Sequence, residues 1–133
     1  MTTPGGTDPT PAPAYDSVED WVRDWLLVNI SRPWGEVGSI RWCWCARWWE
    51  HNEAAVRLTA LWYAWESARL EQTGMLTWLT HLDHHLHLLC SPDGPFRDCT
   101  PPDTDHPARH TPDTFAPVDP APDGWFDWWT DEP

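Results

Sequence analysis

Glu53-Ala-Ala-Val-Arg-Leu-Thr-Ala-Leu-Trp-Tyr-Ala-Trp-Glu66 decides the fold of this chain. Ala55, Leu58, Leu61, Trp62, Trp65 and then Ala68 recur at three- and four-residue intervals. That spacing gathers them into one apolar stripe along a helix. Glu53 and Arg57 stand four apart, in the order that favours a helical ion pair. The pattern predicts a helix from about Ala46 or Asn52 to Gln72, and Gly74 is a natural stop.

On the C-terminal side, Met75, Leu79, Leu82, Leu86 and Leu89 continue the helical spacing to Cys90. Asp83 can instead cap a fresh helix and split this stretch in two. Residues 91–95, Ser-Pro-Asp-Gly-Pro, read as a turn. On the N-terminal side, Val18, Trp21, Val22, Trp25 and Val28 predict a first helix. Ser17 is its N-cap, with Asp20 in the capping-box position, and it ends near Ile30 because Pro33 disfavours helix just before it. Between the helices, Ile40, Trp42 and Trp44 alternate with Arg41, Cys43 and Cys45. This is the pattern of an extended segment, but no strong partner strand is evident.

Proline sets the limits of this helical part. Of 15 prolines in 133 residues, only Pro33 falls within residues 17–90. Proline lacks a backbone donor and clashes inside helices, so regular structure concentrates in that stretch. The expected fold is mainly α: a small bundle of three to four helices over residues 17–99. A disordered leader (1–16) precedes it, and an extended, acidic, Pro-rich tail (100–133) follows. So short a core needs compensation. Ten of the 13 tryptophans lie between Trp21 and Trp78, and each can bury on the order of 200 Å².

Charge narrows the partners. The formal net charge is −13, and all eight basic residues are arginine. The expectation is no nucleic-acid binding, because phosphate contacts need a basic face, and no adhesion to anionic membranes. A protein with a basic surface is the better electrostatic match. A nucleic-acid mimic that occupies a basic site on a host enzyme is a further alternative. No segment has the form of a signal peptide or a membrane span, so the chain reads as cytoplasmic with reduced cysteines.

Two groups of residues have metal-ligand chemistry. His81 and His85 share a helix face one turn apart and can present two imidazoles to one ion. Without a third fixed ligand, a polar helix rim is the plainer account of them. Cys43, Cys45 and His51 form the second group, with Cys90 and Cys99 as further thiols. Cys-x-Cys is a poor zinc spacing. A combined zinc site from Cys45, His51, His85 and Cys99 has suitable donors but requires four segments to converge. Buried free cysteines acting as small hydrophobes are the plainer reading. No phosphate loop, GxSxG elbow or HExxH motif is present, so the chain reads as a non-enzyme. Trp125, Phe126, Trp128 and Trp129 form an aromatic group in the acidic tail. They suit either docking on a protein partner or folding back onto the core.

Several segments taken in order resemble a known family. They are Trp44-Cys-Ala-Arg-Trp-Trp-Glu-His51, the residue 53–66 stretch, Gly74-Met75, His81-Leu-Asp-His-His85, Asp93-Gly-Pro-Phe96 with Cys99, and Pro-Ala-Pro-Asp-Gly-Trp125. Together, over residues 18–126, they resemble the actinobacterial domain-of-unknown-function family 4913. The resemblance implies an accessory protein of plasmids, phages or integrated elements, and it brings no established activity, substrate or cofactor. It singles out Cys45, His51, His81, Asp83, His85 and Cys99, while Cys43 and Cys90 look peculiar to this chain. Proline is common in such proteins at the position of His84, which implies a helix break at Asp83.

Overall fold

The computed structural model describes residues 11–37, 40–102 and 104–130, without the side chains of residues 36, 37, 129 and 130. The described chain is mainly helical. α1 (Val18–Trp21) passes through a π-helical turn (Val22–Leu26) into α2 (Leu27–Asn29). A short hairpin follows, of β1 (Gly35–Val37) and β2 (Ile40–Trp42), and then a 3₁₀ turn (Trp48–Glu50). The long helices α3 (Asn52–Ala68) and α4 (Gly74–Cys90) pack on each other, and α5 (Asp127–Thr130) lies near the C-terminus.

The first helix starts and stops where its residues dictate. Ser17 Oγ accepts the Asp20 N–H at 3.1 Å, which satisfies one of the donors a helix N-terminus leaves open. Ile30 is already extended. Across the wider π turn, Trp21, Val22 and Leu26 are all buried.

The α3 stripe buries Ala54, Leu58, Leu61, Trp62 and Trp65, so the inward face is shifted slightly from the expected one. α4 buries Trp78, Leu82, Leu86, Leu89 and Cys90. Leu79, expected in the stripe, is 38% exposed. Four indoles form the nucleus. Trp25 lies 5.0 Å from Trp65 and 5.6 Å from Trp78, and Trp21 stacks on Trp25 at 6.0 Å. The Trp78 Nε1–H donates to the Leu61 carbonyl at 2.9 Å and ties α4 to α3. Offset and edge-on ring pairs of this kind add about 0.5–1.5 kcal/mol each beyond area burial.

Three expectations need correction. Gly74 opens α4 instead of closing α3. A Cβ there would lie 2.3 Å from the Ala68 carbonyl oxygen, so the close approach of the two helix ends requires glycine. α4 is unbroken at Asp83, because His84 supplies the backbone N–H that a proline would lack. The extended segment does have a partner strand: Gly35 pairs with Trp42, Glu36 with Arg41 and Val37 with Ile40, antiparallel. The alternation then stops at Trp42. The Cys43 N–H bonds the Cys90 carbonyl at 2.8 Å, and Cys43, Trp44 and Cys45 are all buried.

The N-terminal approach is pinned by one carboxylate. Glu66 accepts from the Ala14 and Tyr15 N–H groups, from Trp62 Nε1 and from Arg69 Nε, at 2.9–3.2 Å. Burial alone would raise its pKa, but these donors hold it below the ordinary glutamate value. Among the described residues beyond Cys99, a bridge between Thr100 and Arg109 and α5 are the regular structure.

Candidate metal centre

At the end of the molecule away from the indole nucleus, the chain before α3 meets the chain after α4. Residues 43–45 run into the core beside Cys90, and the 3₁₀ turn then brings His51 to the N-terminus of α3. His51 is fully buried, and its ring stands edge-on to Phe96 at 5.2 Å. The turn after α4 depends on Gly94, where a Cβ would meet the Leu88 and Leu89 carbonyls at 2.4 and 2.6 Å. That turn delivers Phe96 and Cys99, and the Cys99 N–H bonds the Phe96 carbonyl at 2.9 Å.

Four side chains converge there. The ligand atoms of Cys45, His51, Cys99 and His110 all lie within 4.8 Å of one another. Cys45 Sγ is 3.1 Å from His110 Nδ1, and Cys99 Sγ is 3.5 Å from His51 Nε2. A tetrahedral zinc with Zn–S near ~2.3 Å and Zn–N near ~2.0 Å sets its donors roughly 3.3–3.8 Å apart, close to these two sulfur–nitrogen distances. Two thiols and two imidazoles are a donor set that suits Zn²⁺.

Each imidazole is also oriented from behind. His51 Nδ1 is 2.5 Å from Asp113 Oδ1, and His110 Nε2 is 2.8 Å from Glu50 Oε2. A carboxylate on the far nitrogen fixes the tautomer, so the other nitrogen turns its lone pair toward the centre. Asp113 does more than this. Its Oδ2 accepts the Asn52 N–H at 2.9 Å, capping α3 from 61 residues away. Burial raises the Asp113 pKa, but the Asn52 and His51 donors outweigh it and leave the group below its ordinary value. The Cys45 thiol is pushed up to about 11, mainly by burial, with Cys99 contributing. Without a cation it therefore stays protonated at neutral pH.

Three of the expected ligands, Cys45, His51 and Cys99, are brought together. His81 and His85 are not part of the group. The core-facing side of α4 carries Leu82, Leu86 and Leu89, while His81 is exposed. Arg57 Nη1 donates to His85 Nδ1 at 2.8 Å, and burial, with Arg57 next, lowers the His85 pKa. The fourth member, His110, comes instead from the stretch that the sequence reads as tail. Cys43 and Cys90 are buried outside the group. Their pKa values are raised by burial, that of Cys90 to about 12, which suits inert core thiols. In the tail, Trp125, Phe126 and Trp128 are 57–69% exposed, and the side chain of Trp129 lies outside the described residues. Among the described residues no helix is long and apolar enough to cross a membrane.

The profile of the family described as Domain of unknown function (DUF4913) matches residues 15–122. That span includes all four members of the cluster and both carboxylates behind them. The chain matches no curated protein and no solved structure.

Proposed function

The chain belongs to the DUF4913 family, and we propose that it is an accessory interaction module built around one structural Zn²⁺. Cys45, His51, Cys99 and His110 hold the ion, with Asp113 and Glu50 behind the imidazoles. One observation carries this reading: two thiols and two carboxylate-backed imidazoles lie within 4.8 Å of one another. Four protein ligands fill a tetrahedral zinc and leave no open position, the mark of a structural site. Zinc stabilises the thiolates, so binding releases protons and weakens as the pH falls.

Elemental analysis of protein purified without a histidine tag tests this. About one equivalent of zinc is expected in the native protein, and far less in Cys45→Ser, which loses one of four ligands. A native protein with clearly substoichiometric zinc and a melting temperature unmoved by chelation overturns the reading.

A second reading concerns the partner. Exposed Trp125, Phe126 and Trp128 and a tail without lysine or arginine beyond Arg109 favour docking on a protein with a basic surface. An accessory role on an actinobacterial plasmid or phage belongs to the same proposal. Equal partner recovery with and without residues 118–133 would remove the tail from it.

A further inference from the structure

The four ligands are unevenly distributed along the chain. Cys45, His51 and Cys99 belong to the helical body and are at most 2% exposed. His110 alone lies beyond the turn after α4, on an arm that leaves the body at Thr100. On the reading that the centre holds an ion, we infer that the ion clasps the arm of residues 100–114 onto the body through His110, and that α3 and α4 keep their fold without it.

Among the described residues, polar contacts rather than apolar burial tie the arm to the body. Of the arm's apolar residues, Pro102, Pro107, Ala108 and Pro112 are exposed and Pro101 is half-buried, so hydrophobic burial contributes little there. The Thr100–Arg109 bridge, with bonds of 2.9 and 3.0 Å, joins the arm to itself. Its bonds to the body cluster around the centre. The Thr111 N–H donates to Cys99 Sγ at 3.4 Å, Thr111 Oγ1 donates to the Asp98 carbonyl at 2.9 Å, and Asp113 reaches His51 and Asn52. Arg97 adds a bond to Thr114 at 2.9 Å. Ordering a segment of this length has an entropic cost, and the ligand bond to His110 offsets part of it.

The body has the opposite balance. Its indole nucleus of Trp21, Trp25, Trp65 and Trp78 has no member in the centre. With the ion removed and the arm released, His51 Nδ1 loses Asp113, but its Nε2 keeps the Cys99 thiol at sulfur hydrogen-bonding distance, so the cost stays at the N-terminus of α3.

Hydrogen–deuterium exchange on the full chain reads the two parts separately, in zinc-loaded and chelator-stripped protein. Stripping is expected to speed exchange by about tenfold or more at Thr100, Arg109 and Thr111, and at Asn52, whose N–H loses Asp113 with the arm, while amides in α4 and in α3 beyond its first turn change by less than about twofold. His110→Ala with zinc present should release the arm in the same way. Unchanged exchange in the arm after stripping overturns the clasp, and so does equal loss of protection through α3 and α4. Protein that takes up no zinc removes the metal reading and the clasp with it. One bound equivalent with an unresponsive arm removes the clasp alone.

Discussion

The two ends of this small protein are held by different physics. At one end, Trp21, Trp25, Trp65 and Trp78 meet ring against ring, with centroids 5.0–6.0 Å apart where they touch. Large apolar area stabilises that end, and it tolerates modest changes of angle because the attraction is non-directional. At the other end, two thiols, two imidazoles and two carboxylates hold one another by short polar contacts. Direction matters there, and removing one partner strands the rest. A chain too short to enclose a deep core everywhere can be stapled where apolar burial runs out.

The largest expected effect lies at the indole end. Trp78→Ala removes a ring in contact with both Trp21 and Trp25, together with the bond to Leu61, and should cost about 3–5 kcal/mol. Urea denaturation measures it. A loss below about 1 kcal/mol would mean that this end is not the nucleus.

Next comes Asp113→Asn at the polar end. The amide oxygen can still accept from the α3 N-terminus, but the charge behind His51 is gone. Zinc affinity should fall about 10–100-fold, read by competition with a chromogenic chelator, while urea stability of the stripped protein changes by no more than about 1 kcal/mol. Unaltered affinity would show that Asp113 does not orient the ligand.

The smallest effect belongs to Glu66, which joins the N-terminal approach to the indole end. Its folded pKa lies below the unfolded value. Its stabilisation is therefore complete above the unfolded pKa and is lost as pH falls through the folded value. Glu66→Gln should cost about 1–2 kcal/mol at neutral pH. Wild type and variant should converge in strongly acidic solution. A constant gap between their denaturation midpoints across acid pH would contradict this assignment.

These differences also explain what could be read in advance. Helical periodicity is local, so α3, α4 and the first helix were legible from residue spacing, down to the Ser17 cap and the end at Ile30. The hairpin was not, because β1 is three residues long and begins with Gly35, which has a positive φ of 98°. Cys45, His51 and Cys99 were legible as metal-ligand chemistry. His110 was not, because it lies in a Pro/Asp-rich stretch read as tail, 65 residues from the thiol it meets. One signal was available: Cys45 and His51 are followed by a second Cys–His pair, Cys99 and His110, beyond the last long helix. The histidines of α4 were a stronger local pattern, but a surface one. Local pattern cannot report which segments a turn such as that at Gly94 will bring together.

The stacked Trp21–Trp25 pair, 6.0 Å apart and 9° from parallel, has an optical consequence. Indoles so close and so fixed couple their electronic transitions. In far-ultraviolet circular dichroism they add an exciton couplet to the helical bands, so ellipticity alone misreports helix content in this protein. Trp65 and Trp78 lie as close to these rings, so the signal belongs to the whole indole nucleus and reports its opening, whatever happens to the backbone elsewhere.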